Sequence, residues 1–131
     1  MNQKMFKVGK YCKEFNEILN LNLSEFDIYR SKGLPAHMLK SRHAKCLKYI
    51  DYIPQIISEP DYIGINPNEN EAESIELIKR YHDNVLLAIK LDRSNGYFYI
   101  ASMYDVSEAK IQRRLHSGRI KKINVDKKDN K

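Results

Sequence analysis

NVLLAIKLDRSNGYFYIASMYD, residues 84–105, decides the fold. Two apolar runs flank a Ser-Asn-Gly turn, and Asn-Gly tolerates the positive φ values that tight hairpins need. By the two-residue period of a strand, the first run puts Val85, Leu87, Ile89 and Leu91 on one face, and Leu86, Ala88 and Lys90 on the other. The same period through the second run puts Phe98, Ile100, Ser102 and Tyr104 together, against Tyr97, Tyr99, Ala101 and Met103. A third extended run, SIELIKRYH, precedes them across a short Asp-Asn link. The three predict an antiparallel meander with one face under helices and a more polar face opposite.

Upstream, CLKYIDYIPQIISEP carries Leu47, Ile50, Ile53, Ile56 and Ile57 at helical spacing. Pro54 should kink or restart that helix, and Pro60 should end it. DYIGINPNENEAE reads as a short extended piece followed by an acidic, Asn-rich turn. Earlier still, Pro35 suits the first turn of a helix running to about His43. FDIYRS alternates like a short strand, and KYCKEFNEILNL spaces Tyr11, Phe15, Ile18 and Leu19 as a helix. Downstream, Asp105 and Glu108 have capping-box spacing for a last helix, with Ile111 and Leu115 inward and Gly118 as its stop. The expected fold is α+β: N-terminal helices packed on a small antiparallel sheet, with a C-terminal helix. Residues 1–8 are expected to be a flexible start, 9–123 a single domain, and 124–131 a disordered charged tail.

The chain has 131 residues, 42% of them hydrophobic, which suits one domain with a modest core. A formal net charge of +6 favours encounter with polyanions, although a Lys-, Asn- and Ile-rich composition also accompanies AT-rich coding. Cys12 and Cys46 match no zinc or disulfide spacing and read as reduced thiols. No apolar run is long enough for a signal peptide or a membrane span. The expectation is a cytoplasmic protein with no membrane partner and no cofactor.

GLPAHMLKSRHAK, residues 33–45, concentrates chemistry. On a helix His37, Lys40 and His43 would form one drifting stripe, with Arg42 beside it. Such a set could do acid–base work on a phosphodiester, whose ribose 2′-OH needs a base, whose leaving oxygen needs an acid, and whose phosphorane needs cations. It could equally be a solvated helix face. His37, His43 and Cys46 could meet a metal only on a continuous helix and with a fourth ligand.

Elsewhere, Asp61 and Tyr62 sit at a turn. Glu76 and Lys79 point to opposite faces of a regular strand, so at most one faces a given cleft. Lys90 interrupts an apolar strand, and Ser102 and Tyr104 share a face. Arg113, Arg114, Arg119, Lys121 and Lys122 make the densest basic run, suited to phosphate contacts or to a solvated helix end. Some of the nine tyrosines could stack on bases.

Taken together, IYRSKGLPAHMLKSRH, YIPQIISEPDYIG, SIELIK, NVLLAIKLD and YFYIASMYDVSEAKIQRRLHSGRI resemble the PBECR group, the phage, Barnase, EndoU, colicin and RelE-like nuclease domains, over roughly residues 9–122. The resemblance implies a metal-independent endoribonuclease, toxin-like or phage-effector-like, with its active site on an open sheet face and RNA, such as tRNA, as target. It carries His37, Arg42, His43, Asp61, Glu76, Lys79, Ser102 and Tyr104 over as matching positions. His37 or His43 would be base or acid, and Lys79, Lys90 or Arg42 would stabilise the phosphate. Ser102 or Tyr104 would position it, with Lys40, Asp61, Arg113 and Arg114 as further substrate contacts. A self-acting toxin would need an antitoxin or immunity protein. The alternative is a binding module that kept the fold without the chemistry, gripping RNA or blocking a host or phage-defence protein.

Overall fold

The computed structural model describes residues 4–41, 43–67 and 74–123. In chain order the elements are β1 (Met5–Lys10), α1 (Phe15–Leu19), β2 (Asp27–Ser31), α2 (Leu34–Lys40), a 3-10 helix (Ala44–Tyr52), α3 (Ile53–Ser58), β3 (Tyr62–Ile65), β4 (Ser74–Arg80), β5 (Asn84–Asp92), β6 (Tyr97–Asp105), α4 (Glu108–Ser117) and β7 (Ile120–Lys122). The class is α+β, as expected. The sheet is neither small nor purely antiparallel: seven strands lie in the order β1-β2-β6-β5-β4-β3-β7, and β2 runs parallel to β6.

Two strands enlarge it. β1 occupies residues expected to be a loose start and pairs antiparallel with β2. Lysines and a glycine hide its alternation, and its ladder partner lies some twenty residues away, so no local signal announces it. β7 follows the stop of α4 and pairs antiparallel with β3, Ile120 opposite Gly64. The expected 124–131 tail lies outside the described residues.

The meander forms as predicted, with one irregularity that re-sorts a face. Ala88 pairs with Ser102 but Ile89 pairs with Ile100, so Ala101 is an extra residue in a β-bulge. The bulge resets the two-residue period. Phe98, Ile100 and Met103 enter one core cluster with Leu87 and Ile89. Tyr97, Tyr99, Ser102 and Tyr104 therefore share the opposite face, instead of dividing as unbroken alternation required.

The larger cluster joins Tyr11, Phe15, Met38, Ile53, Ile56 and Ile57 to Ile75, Leu77, Leu87 and Phe98. On the other face a smaller cluster of Tyr62, Ile78, Leu86, Val106, Ile111 and Ile120 seats α4 at one end of the sheet. The rest of that face holds the polar side chains of β4, β5 and β6.

Helix boundaries also differ from the periodicity. α2 stops at Lys40, and His43 is the N-cap of the 3-10 helix, so no continuous helix joins His37 to His43. Pro54 restarts the chain as α3, where its missing N–H has no helical partner to lose. The N-cap of α4 is Ser107, whose hydroxyl accepts from the Lys110 N–H at 3.1 Å, rather than Asp105.

Candidate functional site

On the polar face of the sheet, in the middle of β4, lies Glu76, 1% exposed. Its register neighbours are Gly64 on β3 and Ala88 on β5, with Ser102 beyond on β6. Small residues on both flanks leave the carboxylate room for cations to reach it. A buried charge is costly unless paired. The Arg119 fork supplies the pair: Nε donates to one carboxylate oxygen at 3.3 Å and Nη2 to the other at 2.9 Å. Arg114 of α4 adds a second cation, its Nη1 3.7 Å from Oε1.

The local backbone explains how Arg119 arrives. Gly118 closes α4 with φ of 87°, a left-handed value at which a side chain is strained. The chain then crosses β3 at Gly64. A Cβ on Gly64 would stand 2.2 Å from the Arg119 carbonyl oxygen, so only glycine admits this crossing. Glu76, Gly64, Gly118 and Arg119 thus form one structural unit.

The charge of this unit is unbalanced: two guanidinium groups face one carboxylate. Among the described residues, the buried Nη1 of Arg114 has no hydrogen-bond partner. Tyr104 is half-buried on β6, within reach of the charges of Glu76, Arg114 and Arg119. Burial first, and then the Glu76 carboxylate, push the Tyr104 phenol above its ordinary value, while Arg114 and Arg119 pull it back. Tyr104 remains a neutral hydroxyl donor across the neutral range.

The imidazole of His43 lies on the Tyr104 ring, centroids 5.4 Å apart and planes 30° apart. The 3-10 helix that begins there is tied down by Asp83, which accepts from the Tyr49 hydroxyl at 2.8 Å and pairs with Lys45 and Lys48 at 3.3 Å each. The Tyr49 hydrogen bond, with those lysines, lowers the Asp83 carboxyl to about 2. On the opposite flank, Arg80 grips Glu108 and donates to the Tyr62 hydroxyl, fixing α4 to the sheet. That grip lowers the Glu108 carboxyl to about 2.

Of the sequence-predicted residues, the fold brings His43, Glu76, Ser102, Tyr104 and Arg114 to this face, with Lys90 opposite Ser74 in register and next to Tyr99. His37 and Lys40 are exposed on α2. Arg113 is exposed on α4. Asp61 and Lys79 line a separate cleft of about 570 Å3 with Cys12 and Phe15 on the helix side. There Asp61 accepts the Arg80 N–H at 2.7 Å, and Lys79 donates to the Glu59 carbonyl at 2.8 Å. Arg42 lies outside the described residues. Cys46 is fully buried, with its thiol pushed up to about 11 by burial, and among the described residues no three His, Cys, Asp or Glu side chains cluster as metal ligands. Arg119 is the functional candidate the basic-run reading left unassigned. The signal for it is a helix-stop glycine followed by Arg and an apolar residue.

The fold is thus an α+β domain: a seven-stranded mixed sheet with most helices on one face, and on the other α4 and a buried carboxylate between two arginines. The chain belongs to the phage-Barnase-EndoU-ColicinE5/D-RelE like nuclease3 family, which matches residues 6–113. Comparison with curated proteins and with solved structures finds no match. Among the described residues, no helix is long and apolar enough to cross a membrane.

Proposed function

We propose that the protein is a metal-independent endoribonuclease whose reaction centre is Glu76 with Arg114, Arg119, Tyr104 and His43. The observation that carries the reading is the surplus of cationic donors around a single buried carboxylate, on the polar face of a nuclease-family sheet. A phosphodiester is the anion that completes such a charge set.

In this mechanism the ribose 2′-OH attacks the adjacent phosphorus and its proton passes to Glu76. The O2′–P bond forms as the P–O5′ bond breaks. His43, protonated, gives its proton to the departing O5′, leaving a 2′,3′-cyclic phosphate and a 5′-hydroxyl. Arg114 and Arg119 meet the charge that develops on the phosphorane, and Tyr104 and Ser102 orient it. The substrate phosphate takes donors that Glu76 holds in the free protein, which frees the carboxylate as a base. A chain of this kind acting in its own cell calls for an antitoxin or immunity partner, and tRNA is a target consistent with the family.

The test is cleavage of total RNA in EDTA by the parent and by Glu76→Gln, His43→Ala and His37→Ala. The first two are expected to fall by about 10²- to 10⁴-fold, and His37→Ala to stay near the parent. Parental rates in Glu76→Gln refute the assignment. A second reading has its own observation: Glu76 is nearly sealed from solvent and already forked by Arg119, as in a purely architectural ion pair. Intact RNA under every condition favours that reading, a binding module of the same fold.

A further inference from the structure

We propose that Tyr29, Tyr97 and Tyr99 form a base-stacking platform that seats a single-stranded polynucleotide beside the Glu76 cluster. The proposal rests on the reading of that cluster as the place where a phosphate is held. The three tyrosines stand on the face away from the main core, because their neighbours Ile28 and Phe98 are fully buried on the other side. All three are partly exposed. Tyr29 and Tyr97 meet edge to face, centroids 5.2 Å apart and planes at 64°, which leaves ring surface open.

The β-bulge at Ala101 makes this arrangement. Without the extra residue, Tyr97 and Tyr99 would point into the helices while Ser102 and Tyr104 faced the site. With it, rings and site share one face along β6. At about 3.3 Å per residue, Tyr99 lies roughly 15 Å along the strand from Tyr104. That separation fits a stretch of a few nucleotides rather than one. Lys90, directly across from Tyr99, and Arg114 and Arg119 at the far end line the path with cations.

Aromatic faces along a cationic track suit a strand whose bases are splayed. A duplex keeps its bases stacked on each other and offers no ring face. Stacking on tyrosine is tolerant of base identity, so the platform predicts preference for strandedness over sequence.

The probe is a fluorescein-labelled single-stranded oligodeoxynucleotide of mixed sequence, which has no 2′-OH and so escapes the proposed reaction. Fluorescence anisotropy compares it with its own duplex on the parent, Tyr97→Leu, Tyr99→Leu and the corresponding Phe variants. Each Leu variant is expected to bind the single strand roughly ten-fold more weakly, and each Phe variant within about two-fold of the parent. A 2-aminopurine in the probe should be quenched by the parent, a readout that needs no variant to fold. Leu variants binding as the parent does, equal affinity for duplex, or no quenching each overturn the platform. Tyrosine-dependent binding with no cleavage overturns the catalytic reading and leaves the platform. Glu76-dependent cleavage with tyrosine-independent binding does the reverse.

Discussion

Replacing Gly64 with alanine tests the architecture of the site without touching a charged group. The added Cβ would stand 2.2 Å from the Arg119 carbonyl oxygen, 2.9 Å from Ile120 Cγ2 and 3.0 Å from Ile120 Cα. Two of these atoms are backbone, so no rotamer change relieves the contact. The strand must retreat by roughly 1 Å to reach ordinary contact, and overpacking that forces backbone movement typically costs about 1–3 kcal/mol. The movement falls on β7, a strand of three residues whose ladder partner in the sheet is β3 alone. A cost near 2 kcal/mol corresponds to a drop in Tm of roughly 8 °C for a domain of this size. Displacing the Arg119 backbone also draws its fork off Glu76, so RNA cleavage should fall with stability. Thermal unfolding by circular dichroism reads the first effect and a gel assay in EDTA the second. Gly33→Ala is the control, because its Cβ would meet only Ser31 Oγ at 3.4 Å. Gly64→Ala unfolding at the parental temperature would refute the crossing as the reason for glycine.

Further outcomes follow from the same contacts. Arg119→Ala leaves Glu76 with only the longer Arg114 contact, and urea unfolding should show a loss of about 3 kcal/mol; Arg119→Lys should recover little, because an ammonium cannot span both oxygens. Phe98→Ala removes a fully buried ring stacked on Tyr11 at 5.5 Å and should cost about 3–5 kcal/mol in the same measurement. Asp83 and Glu108 titrate near 2 when folded, below their unfolded values, so the stability they confer is present above the unfolded carboxylate range and is lost as pH falls towards 2. Tm measured against pH should therefore decline in that window, and the gap between the parent and Tyr49→Phe should shrink there; a gap constant down to pH 2 speaks against the Tyr49–Asp83 bond as the cause.

The meander and the helix stop at Gly118 were legible because each is a local signal: period two, Asn-Gly, a glycine at a helix end. What escaped the sequence is non-local or one residue out of phase. β1 needs β2 to be a strand at all. The bulge at Ala101 leaves no mark in composition, yet it decides which of Tyr97–Tyr104 face the site. Glu76 and Lys79 were separable by parity, and the structure places them on opposite faces. The helical stripe of His37, Lys40 and His43 depended on a continuous helix, and the chain breaks it after Lys40. Arg119 was visible as a basic residue, but its partner lies forty-three positions earlier and meets it only through a glycine on a third strand.

That dependence bears on how the site is distributed along the chain. The family match ends at Arg113, so it contains Glu76, Tyr104, His43 and Gly64 but neither arginine on the carboxylate. The carboxylate side of the site comes from the meander, and its cations come from the last turn of α4 and the link between that helix and β7. Truncation after Arg113 would therefore remove both cations and Ile120, leaving Glu76 buried and unpaired and the smaller core without its cover. A buried carboxylate in that position must either take up a proton or open the sheet. The segment beyond the match is thus required for the folded site itself, and residues 114–122 are where altered charge should change activity most while leaving the main core intact.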